Sequence, residues 1–74
     1  MDKNVSDKLR INIEAVMDSR RIQKIELADN AGIHYDTLRK FLNGSSDMTM
    51  MKIERIADAL DMTVVGLINW RGGK

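Results

Sequence analysis

Gly32 constrains the fold of this chain more than any other residue. It sits within residues 24–43, KIELADNAGIHYDTLRKFLN, which read as two short helices joined by a tight turn. Leu27 and Ala28 belong to the inner face of the first helix, and Leu38 and Phe41 to the inner face of the second. The chain must leave the first helix through a left-handed conformation, which favours a residue without a Cβ. Ala28 is small because the two helices cross closely there.

Two such helices cannot bury their own apolar faces, so the flanks must supply the rest of a core. The chain has 74 residues, enough for one domain, expected to span 1–74. Domains of about 60 residues bury only about 60% of their unfolded surface, so the margin is thin. No cysteine is present to add a disulfide or a thiolate metal site, which fits a reducing compartment. The apolar runs are only a few residues long, and the N-terminal MDKNVSDKLR lacks the apolar stretch of a signal peptide. A soluble cytoplasmic protein is expected, with no membrane partner. The formal net charge of +1 is a weak electrostatic argument for nucleic acid. Basic residues are nonetheless grouped: Arg20, Arg21 and Lys24 stand at or before the first motif helix, and Arg39 and Lys40 on the second.

Around the motif, apolar periodicity predicts three more helices. The first is expected over about 6–19, with Ser6 as N-cap and Leu9, Ile13, Val16 and Met17 as one stripe. Arg10 and Glu14, four residues apart, either pair or form part of a solvated face. The motif's first helix begins near Gln23, with Glu26 at capping-box spacing and Ile22 and Leu27 as a hydrophobic staple. The second runs from His34 or Tyr35 to Leu42 and stops at Asn43-Gly44. A fourth helix is expected over about 49–60, capped by Thr49, with Met50, Ile53, Ile56, Ala57 and Leu60 inward. Thr63 then caps a short fifth helix over about 64–69.

Two helices around such a turn have the sequence shape of a helix-turn-helix, whose second helix lies in the major groove of DNA. The whole order resembles the Cro/C1-type helix-turn-helix family of phage and bacterial repressors. The resemblance rests on Leu27-Ala28, Ala31-Gly32-Ile33, Thr37-Leu38, Asn43-Gly44 and the IADAL-x-M-T run from Ile56 to Thr63. It implies an all-α, five-helix, lambda-repressor-like domain with the motif as helices two and three. It also implies a sequence-specific transcriptional regulator, most simply a (prophage) repressor bound to double-stranded DNA as a homodimer. Three positions depart from the family pattern. Lys24 replaces a phosphate-binding Gln, His34 replaces a Ser or Thr cap, and Gly66 stands where an acidic residue is frequent.

By position in that fold, Tyr35, Asp36, Arg39 and Lys40 face base edges. Arg39 or Lys40 suits guanine O6/N7. Asp36 either accepts from a cytosine amino group or complements its helix N-terminus. Tyr35 either packs on a thymine methyl or touches backbone alone. Gln23, Lys24, His34, Thr37, Asn43 and Ser45 are the candidate phosphate contacts, which set affinity and salt dependence.

No nucleophile–base pair, Gly-rich phosphate loop or metal-ligand cluster stands in the sequence, so neither catalysis nor a cofactor is expected. His34 is the single histidine, and the six methionines, Met17, Met50 and Met51 or Met62 among them, read as core filling. A domain of this size reads about one half-site, so a pair is expected. Val64, Val65, Leu67, Ile68 and Trp70, within a segment of about 63–74, are the candidate dimer contact. The alternatives are an antitoxin bound to a toxin and a protein-binding module with weak DNA affinity.

Overall fold

The amphipathic stripes of the sequence close into one core in the computed structural model, which describes residues 3–71. Five helices follow in order: α1 (Lys3–Arg20), α2 (Lys24–Ala31), α3 (Tyr35–Leu42), α4 (Met50–Ala59) and α5 (Val64–Ile68). No strand occurs among the described residues, so the fold is all-α with the motif as α2 and α3. Leu9, Ile13, Val16, Leu27, Leu38, Phe41, Ile53, Ile56, Leu60 and Leu67 are buried together at its centre. Helix α2 packs on α4 and α3, α1 packs on α5 and α3, and α4 packs on α5. No described helix is long and apolar enough to cross a membrane.

The motif is built as its residues require. Gln23 is extended before α2, and its backbone N–H donates to Glu26 Oε1 at 3.4 Å, one arm of a capping box. Gly32 takes φ +70° beyond Ala31. The Ile33 N–H then reaches back to the Ala28 carbonyl at 3.0 Å, closing the turn that brings α3 across α2. The chain leaves α3 through Asn43 and then Gly44, which has φ +84°. Asn43 Oδ1 accepts from the Ser45 N–H at 2.9 Å and fixes that turn.

Side-chain caps fix the starts of α4 and α5. Thr49 Oγ1 accepts from the Lys52 N–H at 3.4 Å, and Thr63 Oγ1 from the Gly66 N–H at 2.9 Å. At the other end of α5, Asn12 Nδ2 donates to the carbonyls of Leu67 at 2.7 Å and Ile68 at 3.1 Å. The Leu67 carbonyl also accepts from the Trp70 N–H at 3.3 Å, and α1 adds a side-chain donor to both carbonyls at this helix end.

Three expectations are corrected. Helix α1 starts at Lys3, so Ser6 is not its cap but a buried residue inside it, three positions before Leu9 on the same stripe. Arg10 neither pairs with Glu14 nor lies on a solvated face. Its side chain is only 15% exposed and pairs with Asp7 at 2.5 Å and Asp47 at 3.1 Å. Met50 is 46% exposed and Met48 takes a core place instead, while of Met51 and Met62 it is Met62 that packs on the core, Met51 being 64% exposed. Cα–Cβ bonds tilt toward a helix N-terminus, so side chains in the first turn of α4 overhang the core. The loop residue Met48 folds under it.

Candidate nucleic-acid interface

Helix α3 is apolar on one side only. Leu38, Phe41 and Leu42 are buried, whereas Tyr35, Asp36 and Lys40 are exposed and Thr37 and Arg39 half-buried. The packing of α2 and α1 against it leaves the polar side of this eight-residue helix to solvent. His34 precedes it in extended conformation, exposed, and its side chain makes no capping hydrogen bond. The first N–H groups of α3 are therefore not satisfied by their cap residue.

The two helix N-termini of the motif come together on this side. Gln23, Lys24 and Ile25 from the start of α2 line one open groove with Tyr35 from the start of α3. The groove joins a cation, an amide and the positive end of α2 to the exposed tip of α3. Ile25 was not singled out by sequence, yet it is 62% exposed there. A large apolar residue outside the buried stripe of Leu27, Ala28 and Ala31 was the available signal.

Asn43 and Ser45 lie at the opposite end of α3, about 12 Å along an eight-residue helix. Ser45 lines a second surface concavity with Asp7, Arg10 and Asp47, so carboxylates neighbour it. The structure thus groups Gln23, Lys24 and Tyr35 and sets Asn43 and Ser45 apart from them.

On the exposed side of α3, Asp36, Arg39 and Lys40 form one ionic cluster. Asp36 Oδ1 accepts from Arg39 Nη2 at 2.6 Å and Nε at 3.1 Å, and Oδ2 lies 3.3 Å from Lys40 Nζ. Spacings of three and four residues put all three on one helix face. The Arg39 hydrogen bonds, then Lys40, hold the Asp36 carboxyl below the usual carboxylate range, and Asp36 raises Arg39 in return.

Behind the helix, Arg10 Nε donates to the Phe41 carbonyl at 2.7 Å and Nη2 reaches the Ser46 carbonyl at 3.5 Å. This links α1 to the end of α3 and the following loop. Arg10 lies beside the α1 stripe, three residues before Ile13, which was the sequence signal for its burial. Among the described residues no group of three His, Asp or Glu side chains converges as a metal site.

Residues 12–71 match the Cro/C1-type HTH DNA-binding domain. The chain belongs to that family. As a Cro/C1-type domain it is a DNA-binding transcription regulator, and its helix-turn-helix is α2 and α3. Family membership thus agrees with the resemblance carried by the motif residues. No curated protein and no solved structure matches the chain.

The candidate dimer contact divides in this Cro/C1-type domain. Leu67 is wholly buried in the protomer's own core, so it is withdrawn from that set. Val64, Ile68 and Trp70 are half-buried against the same core, and Val65 is 65% exposed.

Proposed function

We propose that this domain is a repressor that binds a near-palindromic operator as a homodimer. The observation that carries the reading is the shared exposed side of the motif. Lys24 and the start of α2 stand beside Tyr35, with Arg39 and Lys40 further along α3. Arg39 and Lys40 read guanine in the major groove, and Tyr35 packs on a thymine methyl. Gln23, Lys24, His34 and Thr37 fix the register on phosphates from one end, and Asn43 and Ser45 from the other. Asp36 Oδ1 is engaged by Arg39, and Oδ2 lies 3.3 Å from Lys40 Nζ, so a base must share the carboxylate with these cations.

One domain reads one half-site, and the pair places two copies of α3 about 34 Å apart. Val65, with the exposed parts of Val64, Ile68 and Trp70, supports a contact between copies. Selection from a random duplex pool at two salt concentrations tests the reading. A recovered palindrome with steep salt dependence is expected; no enrichment at low salt would sink it. Sedimentation across a concentration series tests the dimer.

The net charge of +1 favours one second reading, a protein-binding module with weak DNA affinity. Failure of the selection together with stoichiometric co-purification of a partner protein supports that reading.

A further inference from the structure

We propose that Asp36 sets the specificity of this domain without touching a base, by acting as the counter-ion that phosphates of non-specific DNA must displace from Arg39 and Lys40 and as the buttress of Arg39 on the operator. The inference rests on the operator-binding reading above and deepens it. It begins from the edges of one guanidinium. Arg39 carries five N–H donors. Asp36 Oδ1 takes the side edge, through Nε and Nη2. The end edge, formed by Nη1 and the second Nη2 hydrogen, is not used by this pair. Two parallel N–H groups on that edge match guanine O6 and N7, and the carboxylate behind them fixes their plane.

Binding to arbitrary DNA has different requirements. Its free energy comes from cations that neutralise phosphates and release counter-ions. Helix α3 carries two cations, Arg39 and Lys40, and Asp36 already neutralises part of their charge. A phosphate must compete with that carboxylate, which the polyanion itself repels. The operator mode keeps the ion pair, whereas the phosphate mode opens it. Asp36 therefore penalises the wrong complex more than the right one, which is how specificity is gained by unfavourable interactions. All three side chains are exposed enough to exchange partners, at 59% for Asp36, 43% for Arg39 and 51% for Lys40. The depressed carboxyl of Asp36 agrees with a cluster that stays ionised throughout the neutral range.

The test compares wild type, Asp36→Asn and Asp36→Glu on the selected operator and on a scrambled duplex of equal length, across a salt series. For Asp36→Asn, binding to the scrambled duplex should tighten about threefold to tenfold at low salt, with a log–log salt slope steeper by about 0.9. Its operator-to-scrambled ratio should fall by at least that factor. Asp36→Glu keeps the charge within reach of both partners and should hold the ratio within about twofold of wild type. An unchanged ratio and slope for Asp36→Asn overturns the inference while the operator reading stands. So does a loss confined to one operator base pair with scrambled binding unchanged, which would make Asp36 a direct reader. Equal binding of both duplexes by wild type overturns the operator reading, and this inference with it. Thermal unfolding of each variant confirms that folded protein is compared.

Discussion

Arg10 meets Phe41 twice: its Nε donates to the Phe41 carbonyl at 2.7 Å, and its guanidinium lies 4.9 Å from the centroid of the Phe41 ring. One side chain of α1 thereby holds both the backbone and the side chain at the far end of the recognition helix. Hydrogen bonds from charged groups contribute about 1.5–3 kcal/mol, so Arg10→Met should cost about 2 kcal/mol of stability. Arg10→Lys should recover less than half, because an ammonium cannot supply the planar fork that also reaches Asp7 and Asp47. Urea unfolding midpoints at unchanged slope measure both.

Gly32→Ala isolates backbone strain. A Cβ there meets nothing within 4 Å, while φ stays at +70°. The loss is therefore conformational, about 1 kcal/mol, with no packing component. Gly32→Asn, better tolerated in the left-handed region, should lose less. Paired thermal melts would show the order, and equal losses for the two would contradict it.

Two neighbours in α5 should separate folding from association. Leu67→Ala removes a wholly buried side chain and should cost about 2–5 kcal/mol in the protomer. Val65→Asp alters an exposed position, so it should leave protomer stability within about 0.5 kcal/mol. The same change should shift sedimentation toward the monomer. Trp70→Ala is a poorer probe of the dimer, because Trp70 also packs on the core.

Acid should open the ionic cluster on α3. Asp36 is depressed, chiefly by Arg39 and then by Lys40, so its pairing is fully present above the ordinary carboxylate range. The pairing is lost as pH falls through the lowered midpoint, and neutral pH leaves it intact. Following the Asp36 carboxyl carbon by NMR, Arg39→Ala should move the midpoint up more than Lys40→Ala does.

Salt dependence and base preference should distinguish Lys24 from Arg39. Lys24→Ala should weaken binding to all duplexes alike and reduce the salt slope by about 1. Arg39→Ala should relax the preference at one base pair of each half-site, costing about 1–3 kcal/mol of discrimination there.

The scaffold was legible because its signals are local. Gly32, Thr49 and Thr63 carry their geometry in their own residue type, and the stripes of α1 and α4 repeat at helical period. What sequence missed depends on partners distant along the chain. Arg10 finds Phe41 and Asp47, and Asn12 finds Leu67 and Ile68; no spacing rule connects them. Met50 fits the inward stripe by period, but a first-turn position overhangs the core. For the candidate site, the exposure of Tyr35, Asp36 and Lys40 was legible, but their arrangement was not. The Asp36 to Arg39 spacing permitted their pair, while the groove joining Ile25 to Tyr35 required the crossing of two helices.

The recognition helix is secured unequally at its two ends. Arg10 locks the end at Phe41, whereas His34 offers no side-chain bond to the end at Tyr35. The first N–H groups of α3, over residues 35–37, have no carbonyl partner inside the helix, whereas those of 39–42 do. Amide exchange should accordingly run faster over residues 35–37 than over 39–42.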